Sequence, residues 1–453
     1  MQSNPMQAQD ITAVRGAFLD FTGDPFRCNE RDSVRYVKDG LLVLKGGKVE
    51  AFGDYGTIAP QYQGISITEY PEKLIIPGFL DIHVHYPQTE IIAAYGEQLL
   101  TWLERYTFPT EAKFHDEDYA RQIATIFLDE LLRNGTTTAL VLTTIFPQSV
   151  EVLFEEADRR NMRMIAGQVW MDRNAPDFLT NTAINSYQQS REQIERWHNR
   201  GRQLYAITPR FAITSTDHEL QLAGKLKAEF PDVYVHTHLS ENAQEIAYTA
   251  ELFPDTQDYL EVYEKYGLVG DRSIFAHGLH LSESEFQRLS QAGATIAFCP
   301  TSNLFLGSGL FKLHRAKSID SPVKVGLASD VGGGTSFSML HTMSDAYKIT
   351  QLQRQNLSSF KAFYLATLGA ADSLSLSDKL GNFDLGKEAD FTVLDLHATP
   401  LMTLRNGTVP AASLDVLEAQ LFGTMILGDD RTIAATYVAG KPLYQNPSLL
   451  GEV

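Results

Sequence analysis

The sequence predicts a mixed α/β fold: a TIM-type (β/α)8 barrel with a small β-domain built from both termini. Three observations carry this. Strand-like apolar runs alternate with amphipathic helical stretches through the middle of the chain, the pattern of a parallel α/β architecture. Eight such units occupy about 260 residues, the length of one barrel. Both ends read instead as short strands broken by glycine turns.

At the N-terminal end the strands are AVRGAFLDF (13–21) and DGLLVLKGGKVEAFGD (39–54); at the C-terminal end they are ADFTVLDL (389–396) and IAATYVAGKPLY (433–444). Two β-rich ends around a different middle are assigned to one small β-sandwich domain, residues 1–73 with 383–453, flanking a barrel of residues 74–382. The barrel strands begin with LIIPGFLDIHVH (74–85), TTTALVLTT (136–144), MIAGQVWM (164–171) and LYAITPR (204–210). VYVHTHL (233–239), SIFAHG (273–278), ATIAFCP (294–300) and KVGLASD (324–330) complete the eight. Helices lie between them, such as DEDYARQIATIFLDELLRNG and SESEFQRLSQAG; the second opens on Ser282 as N-cap and closes on Gly293. An open doubly wound sheet is the alternative. No G-x-G-x-x-G turn follows the first strand, so the usual sign of a dinucleotide site is missing.

The bulk numbers narrow the function. The chain has 453 residues, a net charge of −18 and 43% hydrophobic residues, an ordinary globular composition. Nucleic-acid affinity rests on Lys and Arg neutralising phosphates, so an acidic surface argues against a nucleic-acid partner. No apolar stretch approaches the ~20 residues that cross a bilayer, so no membrane partner is expected. The opening MQSNPMQAQD has neither basic head nor apolar run and is read as no signal peptide. Cys28 and Cys299 are too few for a disulfide framework, and a cytoplasmic location is expected.

Chemistry concentrates at strand ends. His83 and His85 end the first strand, His238 the fifth, His277 the sixth and Asp330 the eighth. Barrel enzymes gather catalytic groups at the carboxyl ends of their strands. Alternation puts His83 and His85 on one face, so both can bind one ion. Three imidazoles and a carboxylate suit Zn²⁺ and tolerate Fe²⁺ less well, so His83, His85, His238 and Asp330 are assigned as ligands of one Zn²⁺ per subunit. His277 is placed beside them, orienting water or the leaving group. Glu241, three residues after His238, is the candidate proton shuttle; the plainer alternative has Ser240 capping a helix with Glu241 in its first turn. His236 is read as barrel packing. Gly332, Gly333 and Gly334 permit a mobile or closely approaching loop.

PGFLDIHVH, HLSE, AHG, ASD and the C-terminal GKEADFTVLDL together resemble the amidohydrolase superfamily over essentially the whole chain. Within it, His83-Val84-His85-Tyr86-Pro87-Gln88, WLERYTFP (102–109), TPRF (208–211) and HLSEN (238–242) are similar to the guanine deaminases. The resemblance implies that Glu241 and Asp330 share proton transfers and that Gln88, Arg210 and Phe211 hold guanine. His85, His238 and Asp330 also touch it, with Trp102 and Leu103 from WLERYTFP. An Arg serves the O6 and N7 acceptors of the base, and Phe211 or Trp102 stacks on its face. An activated water would attack C2 while Glu241 protonates a ring nitrogen, and ammonia leaves. A homodimer is implied as well. The strand-four position of the lysine that bridges two metals in binuclear relatives falls to Arg210, which favours one metal. Another purine, a pyrimidine or a triazine ring is the alternative substrate, and a non-catalytic scaffold a remote one.

Overall fold

Eight parallel strand positions surround one axis: Phe79–His85, Thr136–Leu142, Arg163–Gly167 (extended by Val169–Trp170), Leu204–Pro209, Tyr234–Leu239, Ser273–His277, Thr295–Phe298 and Lys324–Leu327. This computed structural model describes residues 11–408 and 411–447, so the first ten residues, expected to hold no signal peptide, lie outside it. The strands are hydrogen-bonded in chain order. The ring closes where Asp330 N–H donates to His83 C=O (3.0 Å) and His85 N–H to Val331 C=O (2.8 Å).

Each strand is buried on both faces, hence its near-continuous apolar sequence. Inside, Leu80, Ile82, Leu140, Ile165, Tyr234 and Ile274 fill the lumen below the site, closed from beneath by Leu374, Leu376 and Leu380. Outside, Phe79, Val84 and Val141 pack against helices, among them Glu117–Arg133, which is N-capped by Asp116 and buries Phe127 and Leu128. Fully burying one such side chain stabilises by ~1.5–3 kcal/mol. The Ser282-capped helix spans Glu283–Ala292 and ends on Gly293 at φ 69°, as expected.

The run LIIPGFLDIHVH is two strands, not one. Its first part belongs to Ser66–Pro77 in a separate sheet, and the barrel strand starts at Phe79. Gly78 is the joint, because a Cβ there would meet Thr137 Oγ1 at 2.3 Å. The separate sheet has seven strands from both chain ends, joined where Phe391–Leu394 pairs antiparallel with Ser66–Pro77. A buried cluster ties this region to the barrel: Arg202 bonds Glu388 (2.6 Å) and Asp390 (2.5 Å), and Arg163 also pairs with Glu388. Two helices, Pro400–Asn406 and Leu414–Leu427, interrupt the C-terminal strands; the sequence reading had only β structure there. Among the described residues no helix is long and apolar enough to cross a membrane.

Candidate active site

The first barrel strand slips register against its neighbour between Asp81 and Val84. Such an irregularity re-aims side chains. Leu80 and Ile82 fill the lumen, Val84 points outward, and His83 and His85 face the centre beyond the slip. Asp330 sits three residues past Leu327 rather than on the strand, with φ 51°. His277 (φ 74°) and Ser240 (φ 50°) share this left-handed backbone, which costs on the order of 1–3 kcal/mol each and clusters at functional sites.

Four predicted ligands converge. His83 Nε2 lies 3.2 Å from His85 Nε2 and 3.1 Å from Asp330 Oδ1; His85 Nε2 lies 3.3 Å from the same oxygen. The nearest ring nitrogens of His83, His85 and His238 all fall within 4.8 Å of one another. Corners of a tetrahedron with Zn–N bonds of ~2.0–2.1 Å stand ~3.4 Å apart, so the His83, His85 and Asp330 donors are spaced to share one such ion. The outer nitrogens of His238 and His83 have partners suited to that role. His238 Nδ1 donates to Arg210 C=O (2.7 Å), leaving Nε2 for the centre. His83 Nδ1 faces His236 Nε2 at 2.7 Å, so His236 packs in the barrel, as read, and also orients the His83 ring. Burial holds His83, His85 and His238 below the usual imidazole range, which keeps them neutral. His83, His277, Cys299 and Asp330 form a second, overlapping group, in which burial pushes the Cys299 thiol up.

Glu241 lies beside this centre. Its Oε2 is 3.4 Å from His277 Nε2, its Oε1 accepts from Ser308 Oγ (3.1 Å), and burial with the nearby Asp330 pushes its carboxyl up to about 8. The following helix begins at Ala243 with Asn242 as its cap, so Ser240 does not cap it and Glu241 precedes it. Glu245 accepts from the Glu241 and Asn242 N–H groups (2.8 and 3.0 Å), fixing the backbone that carries Glu241. His277 donates from Nδ1 to Asn303 Oδ1 (3.0 Å), which aims Nε2 at Glu241 and, at 3.7 Å, at Asp330 Oδ2.

The cavity above the centre is walled by His85, Gln88, Trp102, Leu103, Arg210, Phe211, His238, Glu241, His277 and Asp330, with Leu99, Leu306 and Gly333. Every residue that the sequence analysis expects to touch the substrate therefore lines this one cavity. Gln88 Oε1 accepts from Gly332 N–H (3.2 Å), and its Nε2 lies 3.1 Å from His85 Nδ1. Gly332–Gly334 make a close approach: a Cβ on Gly334 would stand 1.7 Å from Ser329 C=O. Trp102 Nε1 is buried without a protein partner among the described residues. Glu111, Asn303, Ser308 and Glu245 were not found from the sequence. Glu111 follows WLERYTFP by two residues, so extending that word was the one signal available.

A fold of this kind with its metal-type centre at the strand ends defines a class, and the family model confirms it. The model described as the amidohydrolase family matches residues 74–443, and the chain belongs to that family. Guanine deaminase of Escherichia coli (strain K12) is 54% identical over 437 residues, 96% of this chain and 98% of that protein. The crystal structure of guanine deaminase from Bradyrhizobium japonicum shares 44% identity at TM-score 0.94, covering 96% of this chain and 99% of its own. Guanine deaminase from C. acetobutylicum, solved with bound guanine in the active site, shares 29% at TM-score 0.85, covering 96% and 100%. Within the amidohydrolase family the chain falls among the guanine deaminases.

Proposed function

We propose that the chain hydrolyses guanine to xanthine and ammonia with one zinc ion per subunit held by His83, His85, His238 and Asp330. The observation that carries the reading is the 3.1 and 3.3 Å approach of His83 and His85 to Asp330, with His238 within 4.8 Å of both histidines, at the floor of a pocket walled by Arg210 and Gln88. When bound, a divalent metal makes water acidic enough to act as a nucleophile near neutral pH.

The chain's own groups supply the rest. The Arg210 guanidinium donates to acceptors on the guanine edge, and Gln88 fixes a second edge. Trp102 and Phe211 flank the ring, and the closed wall excludes bulk water. Asp330 Oδ2, facing His277, takes a proton from the attacking water. Glu241 gives its proton to a ring nitrogen, Asp330 passes the proton it took on to the departing amino group, and the proton of the new C2 hydroxyl returns to Glu241, so that guanine and water become xanthine and ammonia. His277, aimed by Asn303, orients the water or the leaving group. A division into a barrel of residues 78–382 and a β-domain of 1–77 with 383–453, the boundary moved from 73 because Ser66–Pro77 is a strand of the separate sheet, belongs to the same reading, as do a homodimer and a cytoplasmic place in purine breakdown.

The test is the reaction in oxygen-18-labelled water. Label in the C2 carbonyl of xanthine with release of ammonia is expected; xanthine without label would overturn the hydrolytic step.

A further inference from the structure

Gln88 and Arg210 reach the pocket from different strand ends, yet one buried carboxylate holds both. Glu111 Oε1 accepts from Gln88 Nε2 at 3.1 Å, and Arg210 Nη1 donates to Oε1 and Oε2 at 2.9 and 2.7 Å. Glu111 is 0% and Arg210 2% exposed. Glu111 stands behind the wall and touches no cavity surface, whereas Arg210 lines it. Among the described residues Arg210 makes no other side-chain hydrogen bond, so Nε and Nη2 are left for a ligand.

Removing one partner of a buried ion pair leaves an uncompensated charge, and a buried guanidinium without its counter-ion recruits an anion. Substrate and product differ in this respect. Deamination replaces an amino group by a second ring carbonyl, which makes the neighbouring ring N–H more acidic, so xanthine ionises more readily than guanine. We infer that Glu111 is a specificity-determining positioning residue: by clamping Gln88 and cancelling the charge of Arg210, it makes the pocket select a neutral purine and release the anionic product. The inference rests on the guanine reading above.

The same carboxylate does two separable things. Its geometry places the Gln88 amide and the free donors of Arg210, which governs how well guanine binds. Its charge sets how the pocket treats an anion, which governs how inhibition by xanthine responds to pH. Neither step touches the reacting atoms, so kcat should be the least affected constant.

The experiment uses the metal-loaded enzyme, Glu111→Gln and Glu111→Asp, with guanine kinetics and xanthine inhibition measured from about pH 6 to about pH 9. Glu111→Gln should raise KM at least about 10-fold and change kcat less than about 3-fold. Its inhibition by xanthine should tighten by about 10-fold relative to wild type as pH rises, because the unpaired Arg210 now holds the anion. Glu111→Asp keeps the charge but shortens the reach, so KM should rise while the wild-type pH profile of inhibition returns. A folded, metal-loaded Glu111→Gln with wild-type KM and inhibition profile would overturn the inference, as would Glu111→Asp with unchanged KM. Should Glu111→Gln not fold, the split expected of Glu111→Asp decides alone. Wild-type enzyme that leaves guanine untouched would overturn the functional reading itself, a different failure from guanine turnover with silent Glu111 variants.

Discussion

Nε2 of His83 and Oδ1 of Asp330 stand 3.1 Å apart although the first and last barrel strands bring them there. Closure of the ring sets that distance, through Asp330 N–H on His83 C=O at 3.0 Å. Asp330→Asn removes the anionic donor and leaves the fold's hydrogen bonds in place. Metal affinity should fall on the order of 10–100-fold or more, read by metal analysis after dialysis against a weak chelator. Full metal retention would remove Asp330 from the ligand set.

Glu241 is buried between Ser308 and His277 with its carboxyl on the cavity. Glu241→Gln keeps the shape and loses the transferable proton, so kcat should drop about 10²–10⁴-fold with metal content unchanged. Wild-type turnover by the metal-loaded variant would end its assignment as proton carrier.

Arg210 presents a planar fork that a lysine ammonium does not reproduce. Arg210→Lys also gives up part of the two-oxygen contact with Glu111. Guanine KM should rise at least about 10-fold, with a smaller change in kcat. A fall in kcat at constant KM would mean that Arg210 acts only in the transition state.

Glu219 offers a pH test away from the centre. Burial, with the charge of Asp172 second, pushes its carboxyl well above the usual range. An unfolded Glu titrates near 4.3, so the native state keeps a proton that the unfolded chain releases. This contribution is full below about pH 4.3 and is lost as pH rises toward the native value. Glu219→Gln mimics the protonated form, so its gain over wild type in urea midpoint should be larger at about pH 8.5 than at about pH 5.5. A gain independent of pH would contradict the raised native value.

The parts legible in the sequence are those whose residue types conflict with their local pattern. A histidine in VYVHTHL or an aspartate after KVGLAS stands out in an apolar strand, and strand order alone brings such groups to one rim. The rest depends on tertiary contact. Glu111, Ser308 and Asn303 sit in short helices or loops where a polar residue is ordinary, and only the folded neighbours give them roles. The apolar run 74–85 was read as one strand because neither Pro77 nor Gly78 breaks its hydrophobicity; crowding against Thr137 shows the break. Leu414–Leu427 is apolar on nearly every side, so no 3.6-residue stripe marked it as a helix.

The central claim is that this pocket deaminates guanine. Its most direct test is ultraviolet monitoring of the metal-loaded enzyme with guanine, alongside adenine, cytosine and a chlorotriazine. The account predicts rapid conversion of guanine to xanthine, none of the other three rings turned over at a comparable rate, and loss of activity on chelation with recovery on adding Zn²⁺. Turnover of another ring with guanine untouched would contradict it.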